Sequence, residues 1–151
     1  MPIAIKSDFI SLPSEKKTEE LAKKFSKKLK LGHVVFFGGE MGVGKTTFIR
    51  YLINNFQKEN RLKITEVTSP TFNLLNEYKI KKIRINHYDL FRVKSFDEIH
   101  NLGLFDDISN VITLIEWPQK IKSKPKNLIE LNFEYENDYK KRTVQIKGLN
   151  L

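Results

Sequence analysis

Apolar side chains recur at helical spacing along the chain, and two of the predicted helices begin at a serine that can cap them. The first follows Ser14, a residue type that caps helix N-termini, and its recurring side chains form one face: Thr18, Leu21, Ala22, Phe25 and Leu29. The same period predicts a helix over residues 45–57, and Ser95 is placed to cap another over residues 95–102. A helical turn is expected at residues 105–109.

Other apolar runs are too short for helices and predict strands. HVVFF at residues 33–37 and VITLI at residues 111–115 are apolar throughout, as strands buried on both faces are. Further single strands are predicted at residues 8–12 and 63–68.

Alternating polar and apolar positions predict two antiparallel hairpins. One pairs residues 74–80 with 83–88, and the other pairs 128–133 with 143–146, turning near residues 136–138. Because strands and helices are mixed along the whole chain, the prediction is an α/β fold with a mixed sheet flanked by helices. No linker or repeat divides residues 1–151, so a single domain is expected.

Composition narrows the class of protein. The chain has 151 residues, 40% hydrophobic and 30% charged, which is typical of a soluble globular domain. It contains no cysteine and no apolar run near the ~20 residues of a membrane helix. The N-terminus lacks the apolar core of a signal peptide. A cytoplasmic protein without membrane association is therefore expected.

The net charge of +9 has two interpretations. Clustered basic residues bind nucleic-acid phosphates, so contact with RNA is one of them. Yet only five of the 27 basic residues are arginine, and the lysines are spread along the chain. Biased composition is therefore the second interpretation, and both stay open.

A glycine-rich segment at residues 39–46 carries the strongest chemical signal. It has the pattern G-x-x-x-x-G-K-T and lies between a predicted buried strand and a predicted helix. Such a P-loop turns backbone N–H groups toward phosphates, while Lys45 reaches the β- and γ-phosphates and the Thr46 hydroxyl binds Mg²⁺. The sequence therefore predicts a nucleoside triphosphate site with Mg²⁺, and a P-loop NTPase-like sheet.

Two carboxylates are candidates for the same site. Glu116 directly follows the strand at residues 111–115, and Asp89 follows the strand at residues 83–88. Either could bind Mg²⁺, hold its water shell or orient the attacking water, and the pattern does not assign these roles. His87 is interpreted as a satisfied strand residue in preference to a base. Trp117, beside Glu116, has three open alternatives: core packing, contact near the nucleotide, or contact with a partner surface.

Four segments together resemble one known family, TsaE, an ATPase family of tRNA threonylcarbamoylation. They are GGEMGVGKTTFIRYL, SPTFNLLNEY, HYDLFR and IEWPQKI, in that order, and the resemblance covers about residues 10–120. It implies an ATP- and Mg²⁺-dependent accessory subunit that works with TsaD and TsaB in the modification of tRNA adenosine 37. Direct contact with tRNA is an open possibility.

The resemblance also implies roles for individual residues. Thr46 and Glu116 would bind Mg²⁺, Lys45, Asp89 and Glu116 would serve catalysis, and residues 69–72 would form a switch-like loop. The phosphates would be held by Glu40, Met41, Gly42, Val43, Gly44, Lys45, Thr46 and Thr47.

Three possible functions differ in the residues that each would require around the glycine loop. An accessory ATPase is expected to turn over slowly alone, since no obvious arginine finger stands near the loop and a partner could supply one. A small-molecule kinase would need an arginine-rich lid, whereas the arginines here are scattered. In a nucleotide-gated binding module, ATP would order a loop that docks a partner. A GTPase would carry N-K-x-D, which the sequence lacks.

Overall fold

The apolar runs of the sequence become the centre of a mixed β-sheet. A computed structural model describes residues 8–70, 74–136, 139 and 141–151. Within these residues, seven strands form one sheet in the order β1-β7-β6-β2-β5-β4-β3. The strands are β1 (Asp8–Leu12), β2 (Val34–Gly38), β3 (Leu75–Ile80), β4 (Ile83–Asp89), β5 (Ile112–Glu116), β6 (Leu128–Tyr135) and β7 (Arg142–Lys147).

The middle of the sheet is parallel. β2 lies between β5 and β6 and runs parallel to both, and β4 runs parallel to β5. Val34, Val35 and Phe37 of β2 are fully buried, as expected for a strand covered on both faces. The carboxyl ends of β2, β4, β5 and β6 therefore meet at one edge of the sheet.

The outer strands are antiparallel. β3 pairs with β4, β6 pairs with β7, and β1 pairs with the far side of β7. Both predicted hairpins are thus confirmed, although residues 137 and 138 of the second turn lie outside the described residues. Antiparallel pairing also brings the first residue of β7, Arg142, to the edge where the parallel strands end. The predicted α/β fold with a mixed sheet is confirmed.

Three α-helices accompany the strands in the described residues: α1 (Glu15–Ser26), α2 (Lys45–Glu59) and α3 (Phe96–Asn101). The caps are those predicted, because the side chains of Ser14 and Ser95 accept hydrogen bonds from the backbone N–H groups of Lys17 and Glu98. The turn expected at residues 105–109 ends in a short 3-10 helix, Ile108–Asn110.

The core is divided by the sheet into two apolar clusters. On one face, α1 and α2 pack against the sheet, with Phe25, Phe48 and Phe133 among the buried side chains. On the other face, α3 and the segments around it cover a smaller cluster that includes Tyr88 and Ile99. Helices therefore cover both faces.

The strand predicted at residues 63–68 is wrong. This segment has no regular secondary structure, and among its side chains only Val67 is buried. It does not pair with any of the seven strands, so its apolar and β-branched residues lack the backbone partner that a strand requires.

Within the described part of the chain, no helix combines the length and the apolar character needed to cross a membrane.

Candidate functional site

The glycine loop connects β2 to α2 and requires glycine for its shape. Gly39, Gly42 and Gly44 have φ angles of +129°, +80° and +114°, which disfavour residues with a side chain. At Gly39 the space is also closed, since a Cβ would lie 2.6 Å from the carbonyl oxygen of Phe133 on β6. The loop therefore lies where its sequence predicted, between a buried strand and the N-terminus of a helix.

Lys45, the first residue of α2, is held inside this loop. Its Nζ donates a hydrogen bond to the carbonyl oxygen of Gly39 at 2.6 Å and lies 3.5 Å from the centre of the Trp117 ring. Burial lowers the pKa of the Lys45 ammonium, while the nearby charges of Glu116 and Asp89 act to raise it. The ammonium is thus desolvated and placed close to two carboxylates.

Thr46, Ser69 and Glu116 form a small hydrogen-bonded cluster at the N-terminus of α2. The Thr46 hydroxyl donates to Oε1 of Glu116 at 2.9 Å, and Thr46 Oγ1 lies 2.9 Å from Ser69 Oγ. Ser69 also donates to Oε2 of Glu116 across a longer 3.4 Å. The cluster joins the helix, the loop that contains Ser69 and the end of β5.

Glu116 is buried at the end of β5, a strand paired on both sides, beside Thr46 at the N-terminus of α2. Only 2% of the residue is exposed. Its Oε2 accepts a 2.7 Å hydrogen bond from Nε2 of His87, which is fully buried in β4. The interpretation of His87 as a hydrogen-bonded strand residue agrees with this geometry, but the pattern did not show that its partner would be a candidate site carboxylate.

Asp89 is the second carboxylate of the site. It pairs in register with Glu116 across β4 and β5, so the two strand ends place both acids side by side. Its Oδ1 accepts a hydrogen bond from the backbone N–H of Phe91 at 3.0 Å. Burial raises the pKa of Asp89, opposed by that hydrogen bond, and the charge of Glu116 raises it further.

These groups line one pocket of ≈ 280 Å³ at the carboxyl edge of the sheet. Of the residues predicted from the sequence, Met41, Gly42, Gly44, Lys45, Thr46, Thr47, Asp89 and Glu116 line it. Trp117 also lines it and is only partly buried, so it is a residue of the pocket and not of the core. Glu40 is exposed and lies outside the lining, and the Val43 side chain is buried in the core beneath the loop.

Arg142 is a pocket residue that sequence reasoning missed. It lines the pocket, and its Cδ lies 3.7 Å from where a Cβ on Gly44 would be. Its Nε is buried without a hydrogen-bond partner among the described residues. The sequence showed no obvious arginine finger near the loop, and Arg142 escaped notice because the β6–β7 pairing brings in a residue that is distant in sequence.

The switch-like loop at residues 69–72 is only partly described. Ser69 lines the pocket, and Pro70 is buried next to it. Thr71 and Phe72 lie outside the described residues.

Comparison with known proteins identifies the family. Residues 12–144 match the family described as threonylcarbamoyl adenosine biosynthesis protein TsaE. Two relatives are named tRNA threonylcarbamoyladenosine biosynthesis protein TsaE. The one from Rickettsia bellii is 45% identical over 131 residues, covering 86% of this chain and 88% of the relative. The one from Rickettsia typhi is 41% identical over 143 residues, covering 93% and 94%.

A solved structure agrees with the fold. The crystal structure of YdiB from Bacillus subtilis superimposes with a TM-score of 0.69 at 20% sequence identity, covering 95% of this chain and 86% of that one. Because the family match spans most of the chain and the relatives exceed 40% identity over nearly their whole length, this chain belongs to the TsaE family of threonylcarbamoyl adenosine biosynthesis proteins.

Proposed function

We propose that this chain binds ATP with Mg²⁺ and hydrolyses it as an accessory subunit for the threonylcarbamoyl modification of tRNA adenosine 37, acting with TsaD and TsaB. Family membership supports the pathway. The observation that carries the chemistry is the Thr46 hydroxyl, 2.9 Å from the Glu116 carboxylate at a helix N-terminus that directly follows a glycine loop. A hydroxyl oxygen and a carboxylate oxygen at this position could coordinate the Mg²⁺ ion of a bound nucleotide.

The triphosphate would be bound by the loop and the start of α2. Backbone N–H groups of the loop and the positive end of the helix dipole attract phosphate oxygens. The Lys45 ammonium, bonded to the Gly39 carbonyl in this structure, would exchange that carbonyl for an anionic phosphate oxygen. Arg142, beside Gly44 in the pocket lining, would supply a second positive group.

The oxygen groups of the pocket fit Mg²⁺. Mg²⁺ prefers hard oxygen ligands and is usually held by one or two carboxylates, waters and substrate phosphates. Thr46 and Glu116 offer such oxygens, with Asp89 beside them. Among the residues that the structure describes, no group of three or more His, Cys, Asp or Glu side chains forms a metal site of its own. When bound, the ion would neutralise charge on the phosphates.

Hydrolysis requires a positioned water. The water oxygen attacks the γ-phosphorus while the bond from that phosphorus to the β,γ-bridging oxygen breaks, giving ADP and phosphate. Asp89 is placed to orient this water or accept its proton, since it lines the pocket beside Glu116 and burial raises its pKa. Glu116, bonded to Thr46, is better placed to hold the metal.

The test is ATP turnover by the chain alone and with TsaD and TsaB. We expect slow turnover alone, because Met41 and Phe91 at the pocket are 65% and 53% exposed and water is not excluded there. Adding the two proteins is expected to raise the rate. Rapid turnover that the two proteins leave unchanged would contradict the accessory role.

Two variants on α2 distinguish a specific effect on the pocket from a general effect of removing a lysine from this helix. Lys45→Ala removes the buried ammonium and is expected to abolish measurable turnover. Lys58→Ala removes an exposed ammonium near the other end of the same helix and is expected to leave turnover unchanged. Equal effects of the two substitutions would contradict a phosphate-binding role for Lys45.

The exposure of Met41 and Phe91 also favours a second candidate, a nucleotide-gated binding module. Exposed apolar side chains at the rim of a pocket can form a surface that contacts another protein. In that case Glu116→Gln would slow hydrolysis yet preserve both nucleotide-dependent assembly with TsaD and TsaB and tRNA modification. Loss of modification despite intact assembly would favour the ATPase.

A further inference from the structure

We propose that His87 is a positioning residue that fixes the orientation of the Glu116 carboxylate toward the metal ion of the bound nucleotide. This inference rests on the proposed Mg²⁺–ATP site and adds a residue to it. The motivating observation is a fully buried imidazole whose Nε2 lies 2.7 Å from Oε2 of Glu116, on the side of the carboxylate away from Thr46.

Each oxygen of the Glu116 carboxylate has a different donor. Oε1 accepts from the Thr46 hydroxyl at 2.9 Å, and Oε2 accepts from His87 at 2.7 Å. The other donor to Oε2, the Ser69 hydroxyl, is at 3.4 Å and belongs to a segment without regular secondary structure. Rotation of the carboxylate plane would therefore break the two shortest hydrogen bonds that hold it.

The imidazole can perform this task because its own position is fixed. His87 pairs in register with Leu114 across β4 and β5 and with Asn76 across β3 and β4. A strand with neighbours on both sides, and a side chain with no exposed surface, leave the ring little freedom to move. The two strands thus fix the distance between the ring and Glu116.

Asp89, the neighbouring acid, is held without a buried side-chain donor of this kind among the described residues. Its Oδ1 accepts from a backbone N–H two residues away in its own loop, and no described side chain donates to it. The two neighbouring acids are therefore held differently. Glu116 is oriented by one donor on β4 and one donor on α2. Hydrogen-bond partners behind a metal ligand fix the geometry of that ligand in the same way.

The alternative is that His87 only fills the core. A core-filling role predicts that substitutions act on folding or weaken every form of nucleotide binding equally. A positioning role predicts a specific loss of the affinity gained from the metal, since only that part depends on the orientation of the carboxylate. Removing partners behind a ligand typically costs about 10–100-fold in metal affinity.

Two substitutions of similar size and polarity distinguish the roles. In His87→Gln the side-chain amide can reach the place of Nε2 and still donate to Glu116. In His87→Asn the amide is shorter and reaches only the place of Nδ1. The two side chains differ by one methylene group, so the dissociation constant in EDTA is needed beside the difference between them, since a packing effect would also change binding without the metal.

The measurement is calorimetric titration with a non-hydrolysable ATP analogue, once in excess Mg²⁺ and once in EDTA. The ratio of the two dissociation constants gives the affinity that Mg²⁺ adds. We expect His87→Asn to lower this ratio about 10-fold while changing the value in EDTA less than twofold, and His87→Gln to stay within about threefold of the unsubstituted chain. His100→Gln, at an exposed position in α3, is the matched control and should leave the ratio unchanged.

Each other result overturns the inference. An unchanged ratio in His87→Asn, an equal fall in both variants, or failure of both to fold by circular dichroism would assign His87 to the core alone. A ratio near one in the unsubstituted chain would instead overturn the proposed Mg²⁺–ATP site, whatever the variants do.

Discussion

At the scale of single residues, several positions at the pocket have unusual backbone geometry. Besides the loop glycines, Trp117 has a φ angle of +58°, which is uncommon for a bulky side chain. Its ring lies over the Lys45 ammonium and contacts the Phe91 ring at a centroid distance of 4.9 Å. Such conformations cost about 1–3 kcal/mol and persist where surrounding contacts require them. Trp117 is thus held in a strained backbone conformation at the pocket.

The first prediction compares two loop glycines that share a positive φ. Gly39→Ala places a Cβ 2.6 Å from the Phe133 carbonyl oxygen, whereas the nearest atom to a Cβ on Gly42 is the Tyr135 hydroxyl at 3.5 Å. We expect Gly39→Ala to lower the free energy of unfolding about 1–3 kcal/mol more than Gly42→Ala does. Urea denaturation without nucleotide measures this difference, and equal losses would show that φ alone makes glycine necessary.

The second prediction concerns Arg142. Because its guanidinium lines the pocket next to the loop, Arg142→Ala is expected to weaken ATP binding at least about 10-fold, the effect of losing one charge-assisted hydrogen bond. Arg142→Lys keeps the charge and should lose less. Arg84→Ala serves as the control, since Arg84 pairs with Asp107 and is not part of the pocket lining. An unchanged dissociation constant in Arg142→Ala would remove it from the site.

At the scale of elements, α2 joins the glycine loop to the core. Its first residue is Lys45, and one turn later Phe48 packs against the rings of Phe25, Phe37 and Phe133 at centroid distances of 5.6, 5.9 and 5.7 Å. These three rings come from α1, β2 and β6. The helix N-terminus that would bind phosphate is therefore anchored by aromatic contacts immediately behind it.

The third prediction tests that anchor. Phe48→Ala leaves a cavity in a fully buried position and is expected to cost about 3–5 kcal/mol of unfolding free energy. Phe48→Leu should cost clearly less, because most of the volume remains. Phe9→Ala is the control, since Phe9 is 61% exposed in β1. Chemical denaturation gives all three values, and equal midpoints for Phe48→Ala and Phe9→Ala would contradict the anchor.

Sequence pattern predicted most elements because their signals are local. The caps at Ser14 and Ser95, the apolar strands β2 and β5, and the glycine loop each depend on a few adjacent residues. Residues 63–68 show the limit of this approach. Their composition suits a strand, but a strand also needs a neighbour, and the sheet has no place for this segment.

Part of the candidate site was also predictable, because some of its residues carry local signals in the sequence. Lys45, Thr46, Asp89 and Glu116 stand at strand ends or in the loop, where pattern and chemistry coincide. Arg142 and His87 could not be found in this way, because their roles depend on which strands are neighbours. The order β1-β7-β6-β2-β5-β4-β3 is a long-range property that no local window contains.

At the scale of the whole molecule, the pocket is formed by elements from most of the chain. Its lining includes residues of α2, the ends of β4 and β5, and the start of β7. A ligand that contacts all of them binds the folded state and not the unfolded chain. Binding and global stability are therefore coupled.

The fourth prediction follows from this coupling. Mg²⁺–ATP at 100 times its dissociation constant is expected to add about 2.7 kcal/mol to the free energy of unfolding. The non-hydrolysable analogue should act in the same way, and thermal or urea denaturation measures it. Lys45→Ala should abolish the gain at that same concentration, whereas Lys58→Ala should retain it. A stability independent of nucleotide in the unsubstituted chain would contradict the proposed site.

The parallel pairing of β2 also has a consequence for biosynthesis. The glycine loop follows β2 at residue 38, but the strands on either side of β2 are made far later, at Ile112–Glu116 and Leu128–Tyr135. During translation the loop therefore leaves the ribosome long before the neighbours that support it, and pairings of such high sequence separation form slowly. A nascent chain halted before β6 lacks the strand whose carbonyl oxygen closes the space at Gly39, so we expect the loop to reach its final surroundings only late in synthesis.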